Sequence, residues 1–206
     1  VMYEAQLNYG MISEKSKETG IPFANILGGA ILEEAVRRIS LSDYQEMLLL
    51  KNKSVLGEAQ YREKLKLNLE YDYMVAPEEE GKEDAVLLNQ VSAGLLEQAF
   101  GGVADYGIVF YPKCMLSRRF LQLQLQAGLA GMKVPVSVRI SLKRGALHTP
   151  VMESLYCMMF PEIIIFYYRY PAETLLADSF MEIVQKLELL RDIGVYYVWA
   201  FRLRRG

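Results

Sequence analysis

The segment Phe120-Leu121-Gln122-Leu123-Gln124-Leu125-Gln126 alternates apolar and polar residues without a break. Successive side chains of a β-strand point to opposite faces, so this order predicts a strand with leucines facing a core and glutamines facing out. A sheet with one face packed and one face polar is characteristic of antiparallel neighbours. Val134 to Leu142 alternates in the same way, and Ala127 to Lys133, with Gly128 and Gly131, is short enough to join the two as a hairpin. Tyr106 to Tyr111 and Glu162 to Tyr168 read as further strands. A fifth, Lys64 to Met74, has Leu65, Leu67, Leu69, Tyr71 and Tyr73 in one phase and Asn68, Glu70 and Asp72 in the other.

Helical periodicity occupies the two ends of the chain. Tyr3 to Thr19 mixes apolar and charged residues, Gly20-Ile21-Pro22 interrupts it, and Phe23 to Ile39 resumes with Ile31, Leu32, Ala35, Val36 and Ile39 on one stripe. Ser42 and Gln45 form a plausible cap pair, and Leu50 to Leu56 reads as a strand edge and turn. Ala85 to Phe100 is an amphipathic helix stopped by Gly101-Gly102, after an acidic loop from Pro77 to Asp84. Ala172 to Leu190 is helical, and Ile193 to Phe201 is helix or strand by periodicity. The fold class is therefore α+β: a mixed or antiparallel sheet with N-terminal helices and a C-terminal helical covering. A single domain over residues 1–206 is expected, with a helical part at 1–45, the sheet core at 46–168 and a C-terminal helical part at 169–206.

Composition excludes several function classes. A chain of 206 residues, 52% hydrophobic, can bury something like 70% of its unfolded surface without a metal or disulfide staple. The 23 basic and 25 acidic residues nearly cancel, which removes a global electrostatic case for nucleic-acid binding. Only Arg202, Arg204 and Arg205 cluster, as a solvated chain end or the snorkelled last turn of a helix. Cys114 and Cys157 form no CxxC, so neither structural zinc nor disulfide dependence is suggested, and a cytoplasmic location is expected. The longest apolar run, Cys157 to Tyr168, is too short and too β-branched to span a membrane, and no secretory signal pattern opens the chain.

Glu70 and Asp72 are the sharpest chemical feature. Carboxylates at i and i+2 of a strand project together and can share a divalent cation that orients a triphosphate; the plainer reading is a solvated strand face. Lys51, Lys53 and Ser54 lie on a turn where ammonium and hydroxyl groups could meet phosphate oxygens; the plainer reading is a polar surface turn. Gly28-Gly29 lacks the preceding strand and spacing of a phosphate loop. His148, the sole histidine, reads as a loop residue, which makes histidine-based zinc or triad chemistry unattractive. Tyr196, Tyr197 and Trp199 read as packing rather than as a base-stacking platform.

With these segments placed, the chain resembles the AbiEii/AbiGii toxin-like nucleotidyltransferase family along most of its length. Leu49-Leu50-Lys51-Asn52-Lys53-Ser54-Val55-Leu56 is similar to the family's hydrophobic-Leu-Lys-Gly-Gly-Thr-x-Leu stretch, with Asn52 and Lys53 in place of the two glycines. Lys66 to Tyr73 resembles the strand carrying Asp-x-Asp, so Glu70 and Asp72 take the metal-ligand places. Val134 to Leu142 resembles the strand that brings a third acid, with Arg139 at the expected position. Tyr170-Pro171-Ala172-Glu173-Thr174-Leu175-Leu176-Ala177-Asp178-Ser179-Phe180 is the most specific match, to Tyr-Pro-x-Glu-Thr-x-x-Ala-Glu-Lys-Phe. There Asp178 replaces Glu and Ser179 replaces Lys. The last motif, Arg-x-Lys-Asp-x-x-Asp, persists only through Arg191, with Ile193, Gly194 and Tyr197 where Lys, Asp and Asp are expected.

The resemblance implies a nucleotidyltransferase core and Mg2+-dependent transfer of a nucleotide from a nucleoside triphosphate to a hydroxyl acceptor on RNA or protein. Glu70 and Asp72 would be catalytic and hold the metal. Lys51, Asn52, Lys53, Ser54, Glu173 and Asp178 would bind the nucleotide. It also implies a toxin paired with a cognate antitoxin. Two alternatives stand beside a divergent transferase: an inactive member kept for binding a nucleotide or protein, needing no cofactor, and an unrelated structural or interaction protein.

Overall fold

The structure is a computed structural model and describes residues 6–51, 65–72, 84–101, 106–116, 120–129, 131–143 and 149–203. It divides into two compact units, Val1–Arg169 and Tyr170–Gly206.

In the first unit, helix α1 (Tyr9–Thr19) starts where the Asn8 side chain accepts the Met11 N–H at 3.0 Å, and stops at Gly20, whose φ of 71° places it in the left-handed region. Residues 6–8 are not helical, so the helix begins later than its composition suggests. Pro22 caps helix α2 (Phe23–Ser40), twelve of whose eighteen residues are buried. A short strand β1 (Leu48–Leu50) follows, then β2 (Leu65–Asp72) and helix α3 (Asp84–Gln98). Strands β3 (Ile108–Leu116), β4 (Phe120–Leu129), β5 (Met132–Lys143), β6 (Val151–Tyr156) and β7 (Ile164–Arg169) complete the unit.

The seven strands form one sheet in the order β3-β4-β5-β2-β1-β7-β6. Pairs β2/β5 and β1/β7 are parallel and the other four antiparallel, so the sheet is mixed. The α+β class expected from the sequence is what the chain adopts. The β4–β5 hairpin has the predicted phase: Leu121, Leu123, Leu125, Val136, Val138 and Ile140 are buried, and they join Ile26, Ile31, Leu88, Leu95 and Phe100 from the helices in one cluster. Phe100 and Phe110 meet edge to face, 5.4 Å between centroids.

The edge and turn read over Leu50 to Leu56 lies beyond residue 51 outside the described residues; its start, Leu50, belongs to β1, which lies between β2 and β7 with all three residues buried. β3 runs on through Pro112 to Leu116, which a sheet permits only where the strand needs no second partner, and β3 is the edge. β6 has no period-two signature, because Val151 and Met152, both exposed, stand in succession.

Gly94 in α3 lies under the ring of Tyr44, whose hydroxyl donates to the Gln90 carbonyl at 3.2 Å. A Cβ added there would overlap that ring. Gly94→Ala, which in an open helix gains about 1 kcal/mol, is therefore expected to lose about 1 kcal/mol through overpacking. Thermal melts should show the loss, and Tyr44→Ala in the same chain should reverse its sign.

In the second unit, helix α4 (Ala172–Leu203) continues through the segment whose period was ambiguous. Leu176, Phe180, Ile183 and Leu187 on it are all more than half exposed. Among the described residues, no helix is long and apolar enough to cross a membrane.

Candidate functional site

The sheet register places the predicted residues. Antiparallel pairing sets Leu50 opposite Leu69, and Leu49 opposite Glu70, so Lys51 follows directly at the end of β1. On the other side of β2, the parallel register sets Asn68 opposite Arg139, Glu70 opposite Ser141, and Asp72 opposite Lys143. Three segments distant in sequence, around residues 51, 70 and 141, thus lie on adjacent strands. Leu69 and Tyr71, in the other phase of β2, are buried, and the Tyr71 hydroxyl meets the Met47 sulfur at 3.4 Å.

The neighbouring face of β4 and β5 is polar. Gln122 and Gln124 donate to the Ser137 hydroxyl at 3.2 and 3.5 Å, and the Ser141 hydroxyl reaches the Leu69 carbonyl at 3.5 Å. Arg139 is exposed, with its guanidinium 4.1 Å from the centroid of the Phe120 ring. This stacking uses the flat face of the guanidinium and leaves its N–H edges in the plane where a phosphate or carboxylate would be met.

A metal-assisted transfer site needs a particular donor set. Such sites hold the ion through oxygen ligands, chiefly carboxylates. Here the β5 positions beside Asn68, Glu70 and Asp72 are Arg139, Ser141 and Lys143, two cations and a hydroxyl. Arg139 stands level with Asn68, one pleat from Glu70 and two from Asp72, so Ser141 and Lys143 are the β5 positions opposite the acidic pair. Among the described residues, no group of three or more His, Cys, Asp or Glu could hold a metal.

The remaining predicted residues are distributed as follows. Asn52, Lys53, Ser54 and His148 lie outside the described residues, as do the Pro77 to Glu83 loop, Arg204 and Arg205; so do the side chains of Glu70, Asp72, Asp178, Tyr196, Tyr197 and Trp199. Glu173 is exposed in the first turn of α4, and the Ser179 hydroxyl donates back to the Leu175 carbonyl at 2.7 Å. Both belong to the second unit, whereas Lys51, Glu70 and Asp72 belong to the first.

The helix side of the sheet holds a charged cluster that sequence reasoning missed. Glu34 accepts from Arg37 Nε at 2.7 Å and from Arg38 Nε at 2.6 Å, and Arg38 also donates to the Ile108 carbonyl at 2.7 Å. Next to it Glu33, 3% exposed, accepts the Met158 N–H at 2.9 Å. Burial pushes the Glu33 carboxyl up to about 7, against the pull of that N–H. Burial, helped by the Glu33 and Glu34 carboxylates, pushes the Cys157 thiol up to about 12, which makes it an unreactive core residue. Glu33, Glu34, Arg37 and Cys157 line a cavity of about 20 Å3, room for one water. The sequence signal was the spacing of Glu34 from Arg37 and Arg38, at i+3 and i+4 of one helix.

A comparison of the chain with protein-family models, curated proteins and solved structures finds no match. What the fold and the site define is an α+β protein with a polar, partly cationic sheet face.

Proposed function

We propose that the chain is a nucleotidyltransferase-like protein of the AbiEii/AbiGii kind whose site binds a nucleoside triphosphate without a divalent cation and without transferring the nucleotide. The collinear motifs support the kinship, and so does the adjacency of β1, β2 and β5, the three strands on which the resemblance puts the lysine, the acidic pair and the third acid. One observation carries the loss of transfer: β5 presents Arg139, Ser141 and Lys143 to the rows of Asn68, Glu70 and Asp72. The exposed Arg139 guanidinium would supply, for polyphosphate oxygens, part of the charge compensation that a metal supplies in an active site. The cytoplasm, rich in nucleoside triphosphates, suits such a role.

Calorimetric titration with ATP, GTP, CTP and UTP, with Mg2+ and then with a chelator, tests this. Binding of at least one triphosphate is expected to be the same in both, and to weaken at least tenfold, about 1.4 kcal/mol, in Arg139→Ala. Binding that requires Mg2+ and disappears in Asp72→Asn, or incorporation of labelled nucleotide into an acceptor, would restore the active transferase. No binding by any of the four would favour an interaction protein.

A further inference from the structure

The two edges of the sheet differ. At one edge, β3 carries Pro112, which has no N–H to offer, between exposed Tyr111 and Lys113. Proline and lysine are the usual devices that stop an edge strand from pairing with another chain. At the other edge, β6 has neither. Its one charge, Glu153, is turned to its own neighbour, forming an ion pair with Arg169 and accepting from the Tyr167 hydroxyl at 3.0 Å. β6 also brings an apolar outer face. Met152, Tyr156, Ile164 and Phe166 are 54, 64, 41 and 45% exposed. They belong to one set of rows, in which Ser154 faces Phe166 and Tyr156 faces Ile164. On the glutamine side of the same sheet nothing comparable is exposed among the described residues of β4 and β5.

We propose that β6 pairs antiparallel with β6 of a second copy of this chain across a twofold axis, doubling the seven-stranded sheet. A second copy is the occupant because the strand is complementary to itself in one register. Cross-strand neighbours share a face, so the outer faces stay continuous whenever a residue lies on the axis, and the six-residue strand overlaps most when that residue is Ser154 or Glu153. Glu153 on the axis would set two like charges directly opposite each other. Ser154 on the axis instead pairs Met152 with the partner's Tyr156 on the outer face, twice, and sets Glu153 against the partner's Leu155. The apolar strips of both copies then join. Six-residue strands bury less than the roughly 1,000 Å2 of a stable interface, so association in the range of about 1–100 μM is expected.

Sedimentation velocity of the full chain over that concentration range should show a monomer–dimer equilibrium. Ser154→Lys, which places two ammonium groups face to face at an exposed position, should weaken it at least tenfold and leave the thermal melt unchanged. Ser154→Cys should give a disulfide-linked dimer on mild oxidation, since directly opposed strand residues lie within disulfide reach. Lys113→Cys on the guarded edge, and the wild type with Cys114 and Cys157, should not. A chain that stays monomeric throughout the range, a dimer indifferent to Ser154→Lys, or one broken instead by Phe180→Lys on α4 would overturn the proposal.

Discussion

Replacing Glu34 by alanine is expected to cost about 3–5 kcal/mol, the toll of leaving a buried cation without its partner. Glu34 is 5% exposed and holds two guanidinium groups, those of Arg37 and Arg38, whose side chains are only 13 and 7% exposed. Each guanidinium also lies over an aromatic ring, Arg37 4.7 Å from the Tyr106 centroid and Arg38 4.9 Å from that of Phe110. The cluster therefore ties α2 to the start of β3, with the Glu34 carboxylate bonded to both arginines. Since a domain of this size has only about 5–15 kcal/mol in hand, the variant should unfold at a much lower urea concentration. Removing Glu34 together with the more buried of its two arginines, Glu34→Met with Arg38→Met, should cost less than removing Glu34 alone, because only Arg37, the more exposed of the two cations, then loses that carboxylate. A Glu34→Ala midpoint within about 0.5 kcal/mol of wild type, the range of an ordinary surface change, would show that water compensates the arginines.

Glu33→Gln is expected to act in the opposite direction, with an effect that grows from about pH 4.5 and is complete above about pH 7. Folding raises the Glu33 carboxyl from 4.5 to about 7, so between those values the folded chain holds a proton that the unfolded chain has released. The contribution of Glu33 is therefore most favourable below pH 4.5, declines as pH rises, and is lost above about pH 7, a change of about 3 kcal/mol. Glutamine keeps an oxygen to accept the Met158 N–H but carries no charge into the site. Urea midpoints measured from pH 5 to pH 8 should separate progressively, with the variant the more stable by up to about 3 kcal/mol at pH 8. Curves that stay parallel across this range would mean that Glu33 is ionised in the fold at no cost, with Arg37 as the compensating charge.

These two residues also show how far the sequence can be read. Ile31, Leu32, Ala35, Val36 and Ile39 mark the core stripe of α2, and all five are buried. The intervening Glu33, Glu34 and Arg38 are buried as well, because α2 is enclosed on more sides than its apolar stripe announces. Periodicity reports which face prefers a core, and it carries no information on how many neighbours the fold will set around a helix. The same limit applies to the site. That Glu70 and Asp72 share a phase of one strand is a local property, legible from alternation. Which residues of another strand stand beside them is not, since the register between β2 and β5 joins segments about seventy residues apart.

Local order in the chain determined the elements: leucine–glutamine alternation made the β4–β5 hairpin, Gly20 and Pro22 separated the first two helices, and the α+β class followed from their sequence. Tertiary structure alone decided that β1 is interior, that β6 is an edge among the described strands, and that Arg139 stands level with Asn68 while Ser141 and Lys143 stand opposite the acidic pair. The physical reason is range. Alternation and capping act through the geometry of consecutive residues, whereas strand order and register are set by which distant surfaces exclude water together.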